Sequence, residues 1–199
     1  TGMMVDVSHI TDEAFYDVME VTEAPVIASH SSVRAFTPGW ERNMSDDMIE
    51  RLATNGGVIM ISFGSMFLTE EYRRRDRAAE EHIEGYLAEN DLSRRSPEAQ
   101  EYIEEYRDNH VGYADITDVV DHIDHVVELV GVDHVGLGSD FDGVGDALPY
   151  GLKDVSQYPN LVYYLLERGY SDEDIKKILG ENLLRVWEQV EEVARERDR

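Results

Sequence analysis

Two histidines, an arginine and an aspartate stand where an α/β protein does its chemistry. His9 closes the apolar run Met3-Met4-Val5-Asp6-Val7, and His30 closes Pro25-Val26-Ile27-Ala28-Ser29 one strand-helix repeat later. In adjacent parallel strands, about 4.8 Å apart, residues at matching ends lie side by side. Two neutral imidazoles so placed can share one divalent cation, and a shell of His and carboxylate ligands favours zinc. The competing reading is that each imidazole only caps its strand by bonding nearby backbone, and the spacing leaves both open.

A later apolar run, His134 to Gly138, leads into Ser139-Asp140-Phe141-Asp142-Gly143. Asp140 lies nearest the strand end, where parallel α/β folds bind ligands, and could take a proton from an activated water or hold a substrate ammonium. Asp142, just before Gly143, reads as turn chemistry. The acids from Asp140 to Asp146 lack the bidentate Glu of an EF-hand loop, so calcium is discounted. Arg34 and Arg42 follow His30, and either could clamp a carboxylate or simply pair with a loop acid. His122 and His125, with Asp124 between them, share a helix face, but their apolar neighbours favour packing over metal. His134 starts its strand, at the wrong end for chemistry, and His82 and His110 lie in a charged, solvated stretch.

Four parallel strands must position these groups: Met3 to Val7, Pro25 to Ser29, Val58 to Ser62 and His134 to Gly138, with helices between them, the alternation of βα units. Thr11 is the expected cap of the first helix, and Ser45-Asp46-Asp47 opens a second that ends at Thr54. From Thr69 to Gly112 the rhythm breaks into a highly charged, helix-prone excursion, punctuated by Ser93 and Ser96-Pro97, read as a helical insertion. A helix from Ile116 to Val130 restores the pattern. The tail predicts helices over Asn160 to Arg168, Ser171 to Leu179 and Glu181 to Arg197, with Ser171 and Asp174 forming a capping box. Residues 1–199 read as one partial domain.

Composition narrows the function. Against 43 acidic residues stand 18 basic ones, giving a net charge of −25. Such a surface repels nucleic acid and anionic membranes. Only Lys153, Lys176 and Lys177 are lysines, and this lysine-poor acidity resembles that of proteins adapted to high salt, an ordinary acidic cytosolic protein being the alternative. There is no cysteine, which excludes disulfides, a thiolate nucleophile and a cysteine zinc site. No run is long and apolar enough to span a bilayer, and a cytoplasmic location is expected. A strand already under way at Met3 suggests a chain cut from something longer.

The strings Val5-Asp6-Val7-Ser8-His9, Ala24-Pro25-Val26-Ile27-Ala28-Ser29-His30-Ser31-Ser32, Arg42-Asn43, Gly136-Leu137-Gly138-Ser139-Asp140-Phe141-Asp142-Gly143 and Gly180-Glu181-Asn182-Leu183-Leu184-Arg185-Val186 together resemble the membrane (renal) dipeptidase family of zinc metallopeptidases. The resemblance implies an amidohydrolase-type (βα)8 TIM-like barrel, of which this chain is the second half, strands five to eight. It implies two zinc ions, His9 and His30 as metal ligands, Asp140 as the catalytic acid/base, and Arg42 holding the terminal carboxylate of a dipeptide cleaved by a metal-activated hydroxide. The family's first-strand His-x-Asp pair and bridging glutamate have no counterpart here, so the isolated chain is expected to be inactive without the N-terminal half of the barrel. A homodimer is compatible with this reading. Two alternatives stay open: a related barrel amidohydrolase acting on another amide or ester, and a non-catalytic half-barrel assembly module.

Overall fold

The computed structural model describes residues 2–197. Its elements run, in chain order, α1 (Asp12–Val21), β1 (Ile27–Ser31), α2 (Asp46–Thr54), β2 (Val58–Ile61), α3 (Ser65–Leu68), α4 (Glu70–Glu89), α5 (Pro97–His110), α6 (Ile116–Val130), β3 (Val135–Leu137), α7 (Tyr158–Glu167), α8 (Asp172–Lys176) and α9 (Asn182–Arg197). Side-chain caps explain several of the helix starts. Thr11 Oγ1 accepts from the Ala14 amide, Ser45 Oγ from Met48 and Ser96 Oγ from Ala99, each satisfying an amide that has no partner inside its helix. Reciprocal capping boxes open α6 at Asp115/Asp118 and α8 at Ser171/Asp174.

The sheet is parallel, in the order β1-β2-β3. It therefore has three strands among the described residues, where the sequence predicts four. Residues 3–7 pair with the β1 backbone through one bridge, between Asp6 and Ile27, made by the Val7 amide to the Ile27 oxygen (2.8 Å) and the Ile27 amide to the Val5 oxygen (3.0 Å). The ladder stops there because a side chain takes over: Asp6 Oδ1 accepts the Ser29 amide at 3.0 Å, and Ser8 Oγ accepts the His30 amide at 3.1 Å. A ladder whose next donors are captured by side chains cannot extend.

Between β1 and β2 the register runs Ala28 against Ile59 and then Ser31 against Ile61. Three steps on β1 face two on β2, so Ser29 and His30 occupy a bulge, a device that re-aims side chains beside functional sites. Gly138, just past β3, permits a close approach to the bulge. A Cβ there would lie 2.5 Å from the Ser29 oxygen and 2.9 Å from the His30 Cα.

Helices α1, α2, α6 and α7 bury Phe15, Ile49, Leu52, Val120, Ile123, Leu161 and Leu165 against Ala28, Ile59 and Ile61 in the main core. Val186 and Val190 of α9 pack on Ile27 and Val58. Buried Asn182 holds the start of α9 to β3 by donating to the Val132 and Val135 oxygens at 2.7 and 2.8 Å. Helices α4 and α5 form a hairpin with a small core of its own around Tyr72, Ala79, Ile83, Leu87 and Ala99. On its outer side the rings of Tyr86 and Tyr102, and of His82, Tyr106 and His110, stack nearly parallel. No helix among the described residues is long and apolar enough to cross a membrane.

Candidate metal centre

The bridge and the bulge bring the two histidines together. His9 Nε2 and His30 Nε2 lie 2.7 Å apart, with ring centroids separated by 4.8 Å and planes inclined at 55°. His9 takes a left-handed backbone, φ 68°, immediately after the Asp6 bridge. A non-glycine residue held there carries conformational strain, which concentrates at functional sites.

Arg42 closes the group. Its Nη2 donates to the His30 oxygen at 2.6 Å and to His9 Nε2 at 3.1 Å, while Nη1 donates to Ser31 Oγ at 3.0 Å. Its Nε is buried with no hydrogen-bond partner among the described residues. Burial draws the guanidinium pKa down, opposed by the charges of Asp140 and Asp6, and the group stays a cation. Burial, then the Arg42 charge and His30, likewise lower the His9 pKa, which keeps that imidazole neutral as a metal ligand requires.

A stacked column backs Arg42. Its guanidinium lies 5.2 Å from the Phe67 ring centroid, Phe67 stacks on Trp40 at 5.2 Å with planes 5° apart, and Arg73 of α4 covers Trp40 at 4.3 Å. Buried Asn43 fixes Phe67 by donating to its carbonyl oxygen at 2.7 Å.

Asp140 enters from the end of β3 on a second left-handed stretch, Ser139 at φ 26° and Asp140 at φ 63°. The Ser139 oxygen accepts from the Phe63 amide at 3.0 Å, which anchors that turn to the end of β2. The Asp140 charge raises the proton affinity of both His9 and Arg42, so it acts on the same site. Its carboxylate lies over Gly143, where a Cβ would stand 2.0 Å from Oδ1.

The other candidates sort cleanly. Arg34 is the loop ion pair, gripping Asp12 through Nη1 and Nη2 at 2.7 and 2.6 Å. His122 is wholly buried, accepting from the Val33 amide at Nδ1 (3.0 Å) and donating from Nε2 to the Leu68 oxygen (2.9 Å). His125 pairs with Asp46, Asp124 with Arg168 and Tyr170, and His134 bonds the Gly57 oxygen. His82 and His110 belong to the α4/α5 stack.

Sequence reasoning missed Asp6 and Ser29. Asp6 accepts the amides of Ser8 and Ser29 at 3.0 Å each and the Ser29 hydroxyl at 2.5 Å. Burial raises the Asp6 pKa, but the hydrogen bonds from Ser29 and Ser8 outweigh it and hold the carboxyl below the usual range. The available signal was an acid set between two valines in an apolar run.

Two converging imidazole nitrogens are half of a tetrahedral zinc shell, so the donor set fits part of a metal site. Among the described residues no group of three or more His, Asp or Glu side chains is placed to complete one.

Known proteins share this arrangement of chain. The chain is 39% identical to the uncharacterized dipeptidase C965.12 of Schizosaccharomyces pombe, over 97% of its own length and 37% of that protein's. It is also 39% identical to dipeptidase tcpJ of Claviceps purpurea, over 97% and 36%. It therefore spans little more than a third of these curated relatives. Among solved structures it matches the probable dipeptidase PvdM from Pseudomonas aeruginosa, with a TM-score of 0.77, 31% identity, and coverage of 96% of this chain and 51% of that one. A metallo peptidase from Rhodobacter sphaeroides, liganded with a phosphinate mimic of the dipeptide L-Ala-D-Ala, matches at a TM-score of 0.70 and 27% identity, over 95% and 43%. The family described as membrane dipeptidase, peptidase family M19, matches residues 1–199, and the chain belongs to it.

Proposed function

We propose that the protein carrying this chain is a zinc-dependent dipeptidase, and that the chain supplies one side of its active site on strands five to eight of a (βα)8 barrel. The observation that carries this reading is the 2.7 Å convergence of His9 and His30 Nε2 with Arg42 beside them. The names of the relatives and the dipeptide mimic in the Rhodobacter sphaeroides structure support the substrate class.

Zinc bound there would supply Lewis-acid polarisation of the scissile carbonyl and a water of lowered pKa. The chain's own residues do the rest. His9 and His30 would hold the ion through their Nε2 atoms. Arg42 offers a guanidinium for the terminal carboxylate of the dipeptide while its Nη2 fixes His9 and the His30 carbonyl. Asp140 takes a proton from the attacking water and returns it to the departing amine. Two imidazoles alone bind zinc weakly, so the 199-residue chain by itself is expected to be inactive.

The test is hydrolysis of simple dipeptides by the complete protein. Loss of turnover in His30→Ala, with zinc content reduced, is the expected result. Undiminished hydrolysis by that variant sinks the assignment, and turnover of lactones in preference to dipeptides favours a related amidohydrolase.

A further inference from the structure

We infer that Asp6, acting through Ser29, sets the tautomer of His30, a positioning role exerted on the ring nitrogen that faces away from His9. The argument is proton bookkeeping. Ser29 Oγ lies 2.5 Å from Asp6 Oδ2 and 2.7 Å from His30 Nδ1. A serine hydroxyl has one proton to give and lone pairs to receive, whereas an ionised carboxylate only accepts. The Ser29 proton therefore goes to Asp6, and Ser29 can meet Nδ1 only by accepting. In the neutral His30 ring the proton then sits on Nδ1, and Nε2 presents a lone pair.

The same accounting applies across the site. Arg42 has donors only, so its 3.1 Å bond to His9 Nε2 requires a lone pair on that nitrogen as well. Asp6-Ser29 on one side and Arg42 on the other thus leave two lone pairs facing each other across 2.7 Å. A cation between them relieves that repulsion. Asp6 is itself locked by three donors, the amides of Ser8 and Ser29 and the Ser29 hydroxyl, so the relay is built before any ion arrives. Outer partners of metal-binding histidines fix ring orientation and basicity in this way, and their loss costs about 10–100-fold in metal affinity.

The inference rests on His30 being a metal ligand for its use, but the tautomer is measurable without metal. The experiment is nitrogen-15 NMR of the histidine ring nitrogens on the full chain stripped of metal, with the zinc affinity of the complete protein then measured by competition against a chromophoric chelator. Ser29→Ala removes the relay and keeps the Ser29 backbone bond to Asp6. Expected are a His30 ring protonated at Nδ1 in the parent, a mixed or Nε2-protonated ring in Ser29→Ala, a 10–100-fold weaker zinc affinity in that variant, and recovery of both in Ser29→Thr. Asp6→Asn moves both readouts in the same direction as Ser29→Ala. An Nε2-protonated ring in the parent, an unchanged tautomer in Ser29→Ala, or a changed tautomer with unchanged zinc affinity overturns the positioning role. If zinc binds neither the complete protein nor its Ser29→Ala variant while the tautomer responds as expected, the relay stands and the zinc reading of the site falls.

Discussion

Arg42 Nη2 donates at once to the carbonyl oxygen of His30 and to the ring of His9, binding the backbone of one candidate ligand to the side chain of the other. The guanidinium is therefore a brace for the histidine pair, beyond the substrate-binding role proposed for it. Lysine cannot make both bonds and the third to Ser31 from one planar group. In the complete protein, Arg42→Lys is expected to raise KM for dipeptides and weaken zinc binding, each by about 10-fold or more. Steady-state kinetics alongside chelator competition checks both, and a change in KM alone would assign Arg42 to substrate only.

His122 makes stability pH-dependent in a defined direction. Burial pushes its pKa down to about 4, against 6.5 in the unfolded chain. Between those values the unfolded state binds the proton and the folded state does not, so stability is full above pH 6.5 and falls as pH drops toward 4. The slope from this one group approaches about 1.4 kcal/mol per pH unit. His122→Gln can keep an acceptor for the Val33 amide and a donor for the Leu68 oxygen without titrating. Urea unfolding at pH 7 and pH 5 should show a smaller loss in that variant than in the parent, and equal losses would refute the account.

Gly143 leaves room for the Asp140 carboxylate and does little else. A methyl group there would sit 2.0 Å from Oδ1, yet the position is exposed. Gly143→Ala is expected to lower kcat of the complete protein by about 10–100-fold through displacement of Asp140, with only a small shift in Tm. An unchanged kcat would remove Asp140 from the chemistry.

Gly138 predicts the opposite pattern. Its Cβ would press on the backbone of Ser29, His30 and Met60, so Gly138→Ala forces β3 away from the bulge. We expect a loss of about 1–3 kcal/mol in chemical denaturation, the range of an overpacked core. A loss under about 0.5 kcal/mol would show that the strands yield easily.

A net charge of −25 makes self-repulsion a destabilising force on this chain. Adaptation to high salt is our proposal for it. At 1 M salt the screening length falls to about 3 Å, so Tm should rise steeply between low ionic strength and molar KCl. A flat or falling Tm rejects halophilic adaptation.

Much of this architecture was legible in the residues. The caps at Thr11, Ser45 and Ser171 act locally, through side chains one turn from the amides they satisfy, and local chemistry is written in local sequence. The matched ends of two apolar runs placed His9 beside His30 because parallel strands share direction and spacing. What stayed hidden depends on partners distant in the chain. Whether Arg34 or Arg42 reached the site was decided by Asp12, which captures Arg34 from another helix. Residues 3–7 read as a strand by pattern, but their pairing ended where the Asp6 carboxylate took the Ser29 amide. The bulge at Ser29 and His30 is a property of two strands together, and neither alone announces it.

The column of Arg42, Phe67, Trp40 and Arg73 has a spectroscopic consequence. Trp40 is one of two tryptophans, and the other, Trp187, lies on α9 with 47% of its surface exposed. Replacing Trp187 with phenylalanine leaves a single indole wedged between the root of α4 and the ring beneath the site arginine. Its emission then becomes an intrinsic optical gauge of that joint, sensitive to any rearrangement of the Arg42 loop on ligand binding and needing no attached dye.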